Sequence, residues 1–220
     1  MLAHHAILAS CAYSAPCIVS GMADLRERRR HATQADLVSA ALGLFAERGF
    51  DATTMDDVAD AAGVSRRTLY RYFPRKDDLV FAAPAGWLRE WDAVIADRRP
   101  QEPLYELMRR GARAVAQQIA ADPEPVLTSA LISRTTPSLL PRLEASTREW
   151  REKIAALVGA EIGADPATDA RCTVTAGAMM GAIDGMLEAW TACAGRRDPV
   201  RMTDEVMRRL EPAWPTLIEA

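Results

Sequence analysis

Residues 53–76, TTMDDVADAAGVSRRTLYRYFPRK, leave this chain few ways to fold. Met55, Val58, Ala59 and Ala62 recur at helical spacing, so the stretch opens as a helix with one apolar face. Thr54 followed three residues later by Asp57 is a capping-box start, with Asp where Glu or Gln is more common. Gly63 supplies a backbone that tolerates positive φ, which the end of a helix commonly needs. Ser65 caps a second helix, in which Leu69 and Phe73 lie one turn apart and point inward. Pro74 ends it, because its ring carries no N–H donor and clashes with the preceding turn. Two short helices joined by a tight glycine turn make a helix-turn-helix, whose second helix enters the DNA major groove.

The charges agree with that placement. Residues 64–76 carry Arg66, Arg67, Arg71, Arg75 and Lys76 and no acid. Tyr70 and Tyr72 sit among them, and Ser65 and Thr68 offer hydroxyls at the helix start, the end that lies deepest in the groove. Arginine pairs bidentately with guanine, and hydroxyls and phenols bond phosphate oxygens. Thr53 and Thr54, at the opening of the first helix, complete the set of candidate DNA contacts. A solvated basic face would have the same composition. The caps, the turn glycine and the flanking helix together favour DNA.

Residues 33–79 resemble the DNA-binding domain of the TetR (tetracycline-repressor-like) family of bacterial transcription factors. The run ALGLFAERGFDATTMDDVADAAGVSRRTLYRYFPRKDDL carries the likeness, which covers roughly a fifth of the chain. The resemblance implies an all-α protein of about nine helices. A three-helix reading head over 32–78 would precede a larger effector-binding and dimerisation domain over 79–220. It further implies a homodimeric, sequence-specific regulator, a repressor released from a palindromic double-stranded operator by a small lipophilic ligand. The body is similar to that of members that answer acyl-coenzyme A or related molecules. A transcriptional activator of the same fold, or a helix-turn-helix used only to bind protein, are the alternatives.

Charge distribution supports this division. Residues 22–76 hold ten Lys and Arg against eight Asp and Glu, net +2, whereas residues 77–220 hold seventeen against twenty-two, net −5. A positive end on an acidic body orients a molecule on DNA. Cys11, Cys17, Cys172 and Cys193 form no CxxC pair, and His4, His5 and His31 all precede the head, so neither a zinc site nor a disulfide framework is expected. Reduced thiols fit a cytoplasmic protein; oxidant sensing by Cys172 or Cys193 would require a local basic cluster that the sequence does not show. No run of about 18 apolar residues predicts a membrane span. No catalytic or cofactor motif is present: there is no GxSxG, HExxH or phosphate loop, and no histidine follows His31. Residues 1–21 lack the basic start of a secretory signal. MADLRERRRHATQ is similar to the typical beginning of TetR-family members, a resemblance that places the expected first residue at Met22 and makes residues 1–31 a poorly ordered leader and basic arm. The arm, with Arg26, Arg28, Arg29 and Arg30, either adds phosphate or minor-groove contacts or is a solvated tail.

Further along, a helix beginning at Thr33 has Leu37, Ala41, Leu44 and Phe45 as its stripe and ends at Gly49. Asp77 or Asp78 is expected to cap a helix reaching about residue 97, which Pro84 should bend or delay. Helices follow over about 103–121, 126–133, 138–162, 165–193 and 199–218. Trp87, Leu107, Met108, Trp150, Met179, Ile183 and Asp184 are candidate walls of an effector pocket, since methionine and tryptophan suit a plastic apolar site; each aromatic or aliphatic one also fits plain core. Asp184 stands out as an acid within an apolar helix. Gly177, Gly181 and Gly185 share one face of that helix with Thr173. Each mid-helix glycine costs about 1 kcal/mol against alanine, so three predict close helix packing, either between two copies or against the body.

Overall fold

The computed structural model describes the backbone of residues 17–219 and the side chains of residues 29–219. The chain divides into two compact units, residues 1–36 and residues 37–220. Eleven α-helices are found among the described residues, and no strand: α1 (Cys17–Arg48), α2 (Met55–Ala61), α3 (Arg66–Tyr72), α4 (Lys76–Val80), α5 (Ala82–Ala96), α6 (Leu104–Ala121), α7 (Pro123–Thr135), α8 (Leu140–Ile162), α9 (Ala170–Ala192), α10 (Pro199–Leu210) and α11 (Trp214–Ile218). The architecture is all-α, as expected, with more segments than nine because two expected helices are broken.

The expected start at Thr33 is corrected. Helix α1 already runs from Cys17, and Thr33 is interior to it, its Oγ1 donating to the Arg29 carbonyl one turn back at 2.9 Å. Residues 22–32 hold four Arg and two Ala and neither glycine nor proline, so helix propensity carries the element through the expected arm. The rest of the expected leader, residues 1–16, lies outside the described residues, as do Cys11 and the side chain of Cys17.

In the second unit Leu37, Ala41, Leu42 and Phe45 are buried against Val58, Ala59, Leu69 and Phe73 of α2 and α3. The Phe45 and Phe50 rings meet edge to face at 5.0 Å. Gly49 turns the chain out of α1 at φ +88°, a conformation that an L side chain resists. The same packed cluster takes in Leu79, Val80 and Phe81, then Ile132 of α7 and Leu139. The helix-turn-helix core is therefore continuous with the body.

Helix α4 is capped differently from expectation. Arg75 is its N-cap residue, and the Asp78 carboxylate accepts the Arg75 backbone N–H at 3.1 Å. The helix stops at Phe81 and restarts as α5, with Pro84 in the first turn, where a missing N–H has no partner to lose. Farther on, α8 packs on α9, α5 on α6, and α10 against both α6 and α9. Asp169, rather than a residue near 165, caps α9 by accepting the Arg171 N–H at 2.9 Å. The last expected helix breaks at a 3-10 turn, Glu211–Ala213, where Pro212 interrupts it.

Trp91, Leu107, Met108, Ile154, Val158, Met179 and Met207 form the largest buried cluster. Tyr105 is tied into it through its hydroxyl, which donates to the Met207 carbonyl at 2.7 Å.

Candidate nucleic-acid interface and effector cavity

The local signals that open α2 and α3 are realised in geometry. Thr54 Oγ1 accepts the Asp57 N–H at 3.1 Å while the Asp57 carboxylate accepts the Thr54 N–H at 2.7 Å. These bonds hold the Asp57 carboxyl below its usual range, the Thr54 side-chain bond foremost. Gly63 takes φ +65° at the turn. Ser65 Oγ accepts the Thr68 N–H at 3.2 Å and capping leaves its hydroxyl against Thr68 Oγ1 at 2.9 Å. With Leu69 fully buried beneath, the opposite face of α3 is turned to solvent: Ser65, Arg66, Arg67, Tyr70 and Arg71 are exposed and Thr68 and Tyr72 half-buried. The Arg71 guanidinium lies 5.1 Å from the centre of the Tyr72 ring, and the Arg66 guanidinium pairs with Asp56 of α2 at 2.6 Å. Such an arrangement offers a duplex three guanidinium groups, two phenols and two hydroxyls on one short helix, with nothing acidic on that helix.

Two of the sequence-derived contacts lie elsewhere. Thr53 is buried, and its Oγ1 donates to the Gly49 carbonyl at 2.8 Å. Lys76 turns inward: its Nζ donates to the Phe50 carbonyl at 2.7 Å and the Thr53 carbonyl at 2.8 Å, and sits 4.3 Å from the Phe50 ring centre. Both side chains close the turn between α1 and α2 instead of facing outward. The turn is the physical reason: it leaves two carbonyls without helical partners, and an ammonium satisfies both. The head is also bonded to the body, since Ser138 Oγ donates to the Asp51 carboxylate at 2.7 Å and the Arg142 guanidinium lies 4.0 Å from the Asp77 carboxylate and 3.9 Å from that of Asp78.

The body holds a cavity with about 1090 Å³ of empty space, counting open solvent at its mouth. Small-molecule sites commonly span about 300–1,000 Å³. Helices α4 to α10 wall it, and its surface is overwhelmingly apolar. Trp87, Trp150, Met179, Ile183 and Asp184 line it, together with Trp91, whose ring meets Trp150 edge to face at 5.6 Å. Leu107 and Met108 do not. They are fully buried in the packed cluster behind, because the inner face of α6 spends those two on neighbouring helices and turns Ala112, Val115, Ala116 and Ile119 to the cavity. Val80, Phe81, Pro84, Arg134 and Thr203 also line it. Helical periodicity marks them as apolar or polar, and nothing in the sequence marks them as neighbours.

Two charges stand at this cavity. Burial raises the Asp184 carboxyl above its usual range, and the nearby Arg134 guanidinium opposes the shift. Arg134 itself bonds Glu188 at 2.7 Å. The glycine face of α9 points away from the cavity. Gly177, Gly181 and Gly185 are exposed, and a Cβ built on any of them meets nothing within 4 Å. Packing against the body is thereby excluded as the reason for them. Among the described residues no group of three or more His, Cys, Asp or Glu is placed to hold a metal, and no helix is long and apolar enough to cross a membrane. Cys172 and Cys193 are free thiols, and burial pushes the Cys172 thiol up, away from the reactive thiolate.

A basic, capped reading helix joined to an all-α body with an apolar cavity defines a helix-turn-helix transcriptional regulator. Residues 37–83 match the family of bacterial regulatory proteins, tetR family, and residues 102–215 match the MftR C-terminal domain. The chain belongs to the TetR family of DNA-binding transcriptional regulators, whose members are not enzymes. It is 27% identical over 163 residues to MftR of Mycobacterium tuberculosis, named as a mycofactocin biosynthesis transcriptional regulator, covering 74% of this chain and 82% of that one. It is 26% identical over 153 residues to the HTH-type transcriptional regulator TcmR of Streptomyces glaucescens, covering 67% and 68%. The fold is shared with the fatty acid degradation regulator FadR of Bacillus halodurans, at a TM-score of 0.61 and 20% identity over 81% of this chain and 94% of that one. It is shared equally with FadR of Bacillus subtilis in complex with stearoyl-CoA, at 0.60 and 18% over 84% and 97%.

Proposed function

We propose that two copies of this chain hold a palindromic operator through paired α3 helices, and that a lipophilic small molecule in the body cavity releases them, making the protein a ligand-relieved repressor. Residues 32–78 serve as the reading head and residues 79–220 as the effector and dimer domain. Thr54, Ser65, Arg66, Arg67, Thr68, Tyr70, Arg71 and Tyr72 supply the DNA contacts, while Thr53 and Lys76 hold the turn that aims them. Arg66 exchanges Asp56 for the duplex, a low-cost exchange because an exposed ion pair contributes only about 0–1 kcal/mol. The open glycine face of α9, with exposed Val174 beside it, is the meeting surface of the two copies.

One observation carries the regulatory half. Val80 and Phe81 line the cavity and belong to the same packed cluster as Leu69 and Phe73 at the α3 end of the head. A ligand that displaces those two side chains acts on the base of the reading helix with no intervening linker. Packed clusters respond to such displacement by adopting another arrangement rather than deforming smoothly. The α4–α5 break at Phe81, fixed by Pro84, is the point at which they yield. Stearoyl-CoA, named with the Bacillus subtilis neighbour, has the amphipathic form that an apolar cavity with Arg134 at hand would suit.

The test uses DNA flanking the chain's own gene in a fluorescence-anisotropy assay. Wild type binds a palindrome there with an affinity that falls steeply as salt rises, and Arg67→Ala and Tyr70→Ala lose it. Stearoyl-CoA weakens operator binding by some factor, and by linkage the operator weakens stearoyl-CoA binding by the same factor. Operator binding that survives both substitutions, or lipophile binding that leaves operator affinity unchanged, overturns the proposal.

A further inference from the structure

Thr203 sets a condition on what the cavity accepts. The residue is 1% exposed on α10, lines the cavity, and its Oγ1 is buried with no hydrogen-bond partner among the described residues. Three hydroxyls of the wall behave differently. Ser129 donates to the Val126 carbonyl, Ser133 to the Ala130 carbonyl and Thr147 to the Leu143 carbonyl, the back-bonding that helical Ser and Thr ordinarily use. A buried hydroxyl left unmated is uncommon and costly.

Thr203 also lies apart from the charged groups of the cavity. Its helix packs between α6 and α9, and its neighbour Asp204 pairs with Arg113 of α6. Asp184, by contrast, responds to Arg134 of α7, Arg151 of α8 and Glu188. The charged groups that line the cavity are therefore Arg134 of α7 and Asp184 of α9, and Thr203 of α10 is a neutral donor-acceptor in the same wall.

We infer that the cavity selects a lipophile bearing a hydroxyl or keto oxygen on its buried apolar portion, and that Thr203 is the residue that recognises it. The hydroxyl is buried without a partner already in the unliganded protein, so an unsubstituted hydrocarbon tail leaves it unmated, whereas an oxygen function brought within its reach supplies the partner. This inference rests on the cavity being the effector site.

The experiment measures binding of matched probes to full-length wild type and to Thr203→Val, which keeps the shape and removes the hydroxyl. The probes are stearic acid, its 2-, 10- and 12-hydroxy derivatives and 12-oxostearic acid, each as the free acid and as the coenzyme A thioester. Wild type is expected to prefer at least one oxygenated probe over the plain chain by roughly fivefold, the worth of one neutral hydrogen bond. Thr203→Val should erase that preference and bind the plain chain as well as wild type or better. Preference for both the 12-hydroxy and the 12-oxo probe identifies Thr203 as the donor, preference for the 12-hydroxy probe over its 12-oxo counterpart identifies it as the acceptor, and preference for another hydroxy probe alone fixes only the position of the oxygen; each supports the inference. The unliganded Tm of Thr203→Val should equal or exceed that of wild type, because no protein bond is lost. Equal affinity of wild type for all probes, a preference that survives in Thr203→Val, or a clear fall in the unliganded Tm overturns the inference while leaving the cavity as the effector site. Failure of every probe to bind wild type overturns both.

Discussion

Lys76 offers the sharpest distinction between holding the reading head together and touching DNA. Its Nζ donates two bonds, of 2.7 and 2.8 Å, to the carbonyls of Phe50 and Thr53. Lys76→Met keeps the aliphatic stem against Phe50 and removes only the ammonium. A hydrogen bond to a charged group contributes about 1.5–3 kcal/mol when buried. The site is half-buried, so water replaces part of both bonds, and a loss of about 2–3 kcal/mol in total follows. At about 2–4 °C per kcal/mol for a chain of this size, the Tm should fall by about 4–12 °C. The second reading is electrostatic. Each phosphate neutralised steepens the dependence of log K on log salt by about 0.9. Lys76→Met should weaken operator binding with that slope unchanged, because the ammonium is spent inside the protein. Arg71→Gln should do the reverse, lowering the slope by about 0.9 per head with the Tm unmoved. Calorimetry and an anisotropy titration over several salt concentrations supply both numbers. A Lys76→Met protein with wild-type Tm and a shallower slope would refute this account and return Lys76 to the phosphate backbone.

Three further outcomes are expected. Gly181→Leu should leave the single-chain fold intact by circular dichroism, since nothing lies within 4 Å of the new Cβ, yet abolish dimers in sedimentation; persistent dimers would move the meeting surface off α9. Gly111→Ala places a Cβ 2.7 Å from two ring carbons of Trp91. Overpacking costs about 1–3 kcal/mol against about 1 kcal/mol returned by helix propensity, so urea unfolding should show a net loss and tryptophan emission should shift; an unchanged midpoint would contradict the packing described. For Asp184→Asn the sign follows from burial, which raises the carboxyl in the folded state. Ionised Asp184 then disfavours folding at neutral pH, so the variant should be the more stable near pH 7. That advantage should shrink as pH falls through the raised value and vanish below the ordinary carboxylate range; an advantage that grows on acidification would show the opposite shift.

The sequence alone determined the reading head, because its signals are local. A hydroxyl three residues before an acid, glycines where the backbone turns to positive φ, and apolar residues one turn apart act within a few residues of chain. Thr54, Asp57, Ser65, Gly49, Gly63, Leu69 and Phe73 accordingly do what their spacing implies. Helix boundaries set by propensity were less legible: α1 passes through Thr33 because no residue there stops it. The body is different. Periodicity assigns a side chain to the apolar face of its helix, but it does not say whether the facing space is filled. Leu107 and Met179 look alike in the sequence; only the packing of α6 seals the first in the core while the second borders the cavity. The glycine face of α9 reads as a contact surface either way, and the open space above it shows that the body is not the partner. Thr203 and Lys76 are the clearest cases of what tertiary structure decided. One is an ordinary polar residue of an amphipathic helix and the other an ordinary cation of a basic run. Their roles follow from which carbonyls and which cavity the fold brings beside them, across sequence distances that no local pattern spans.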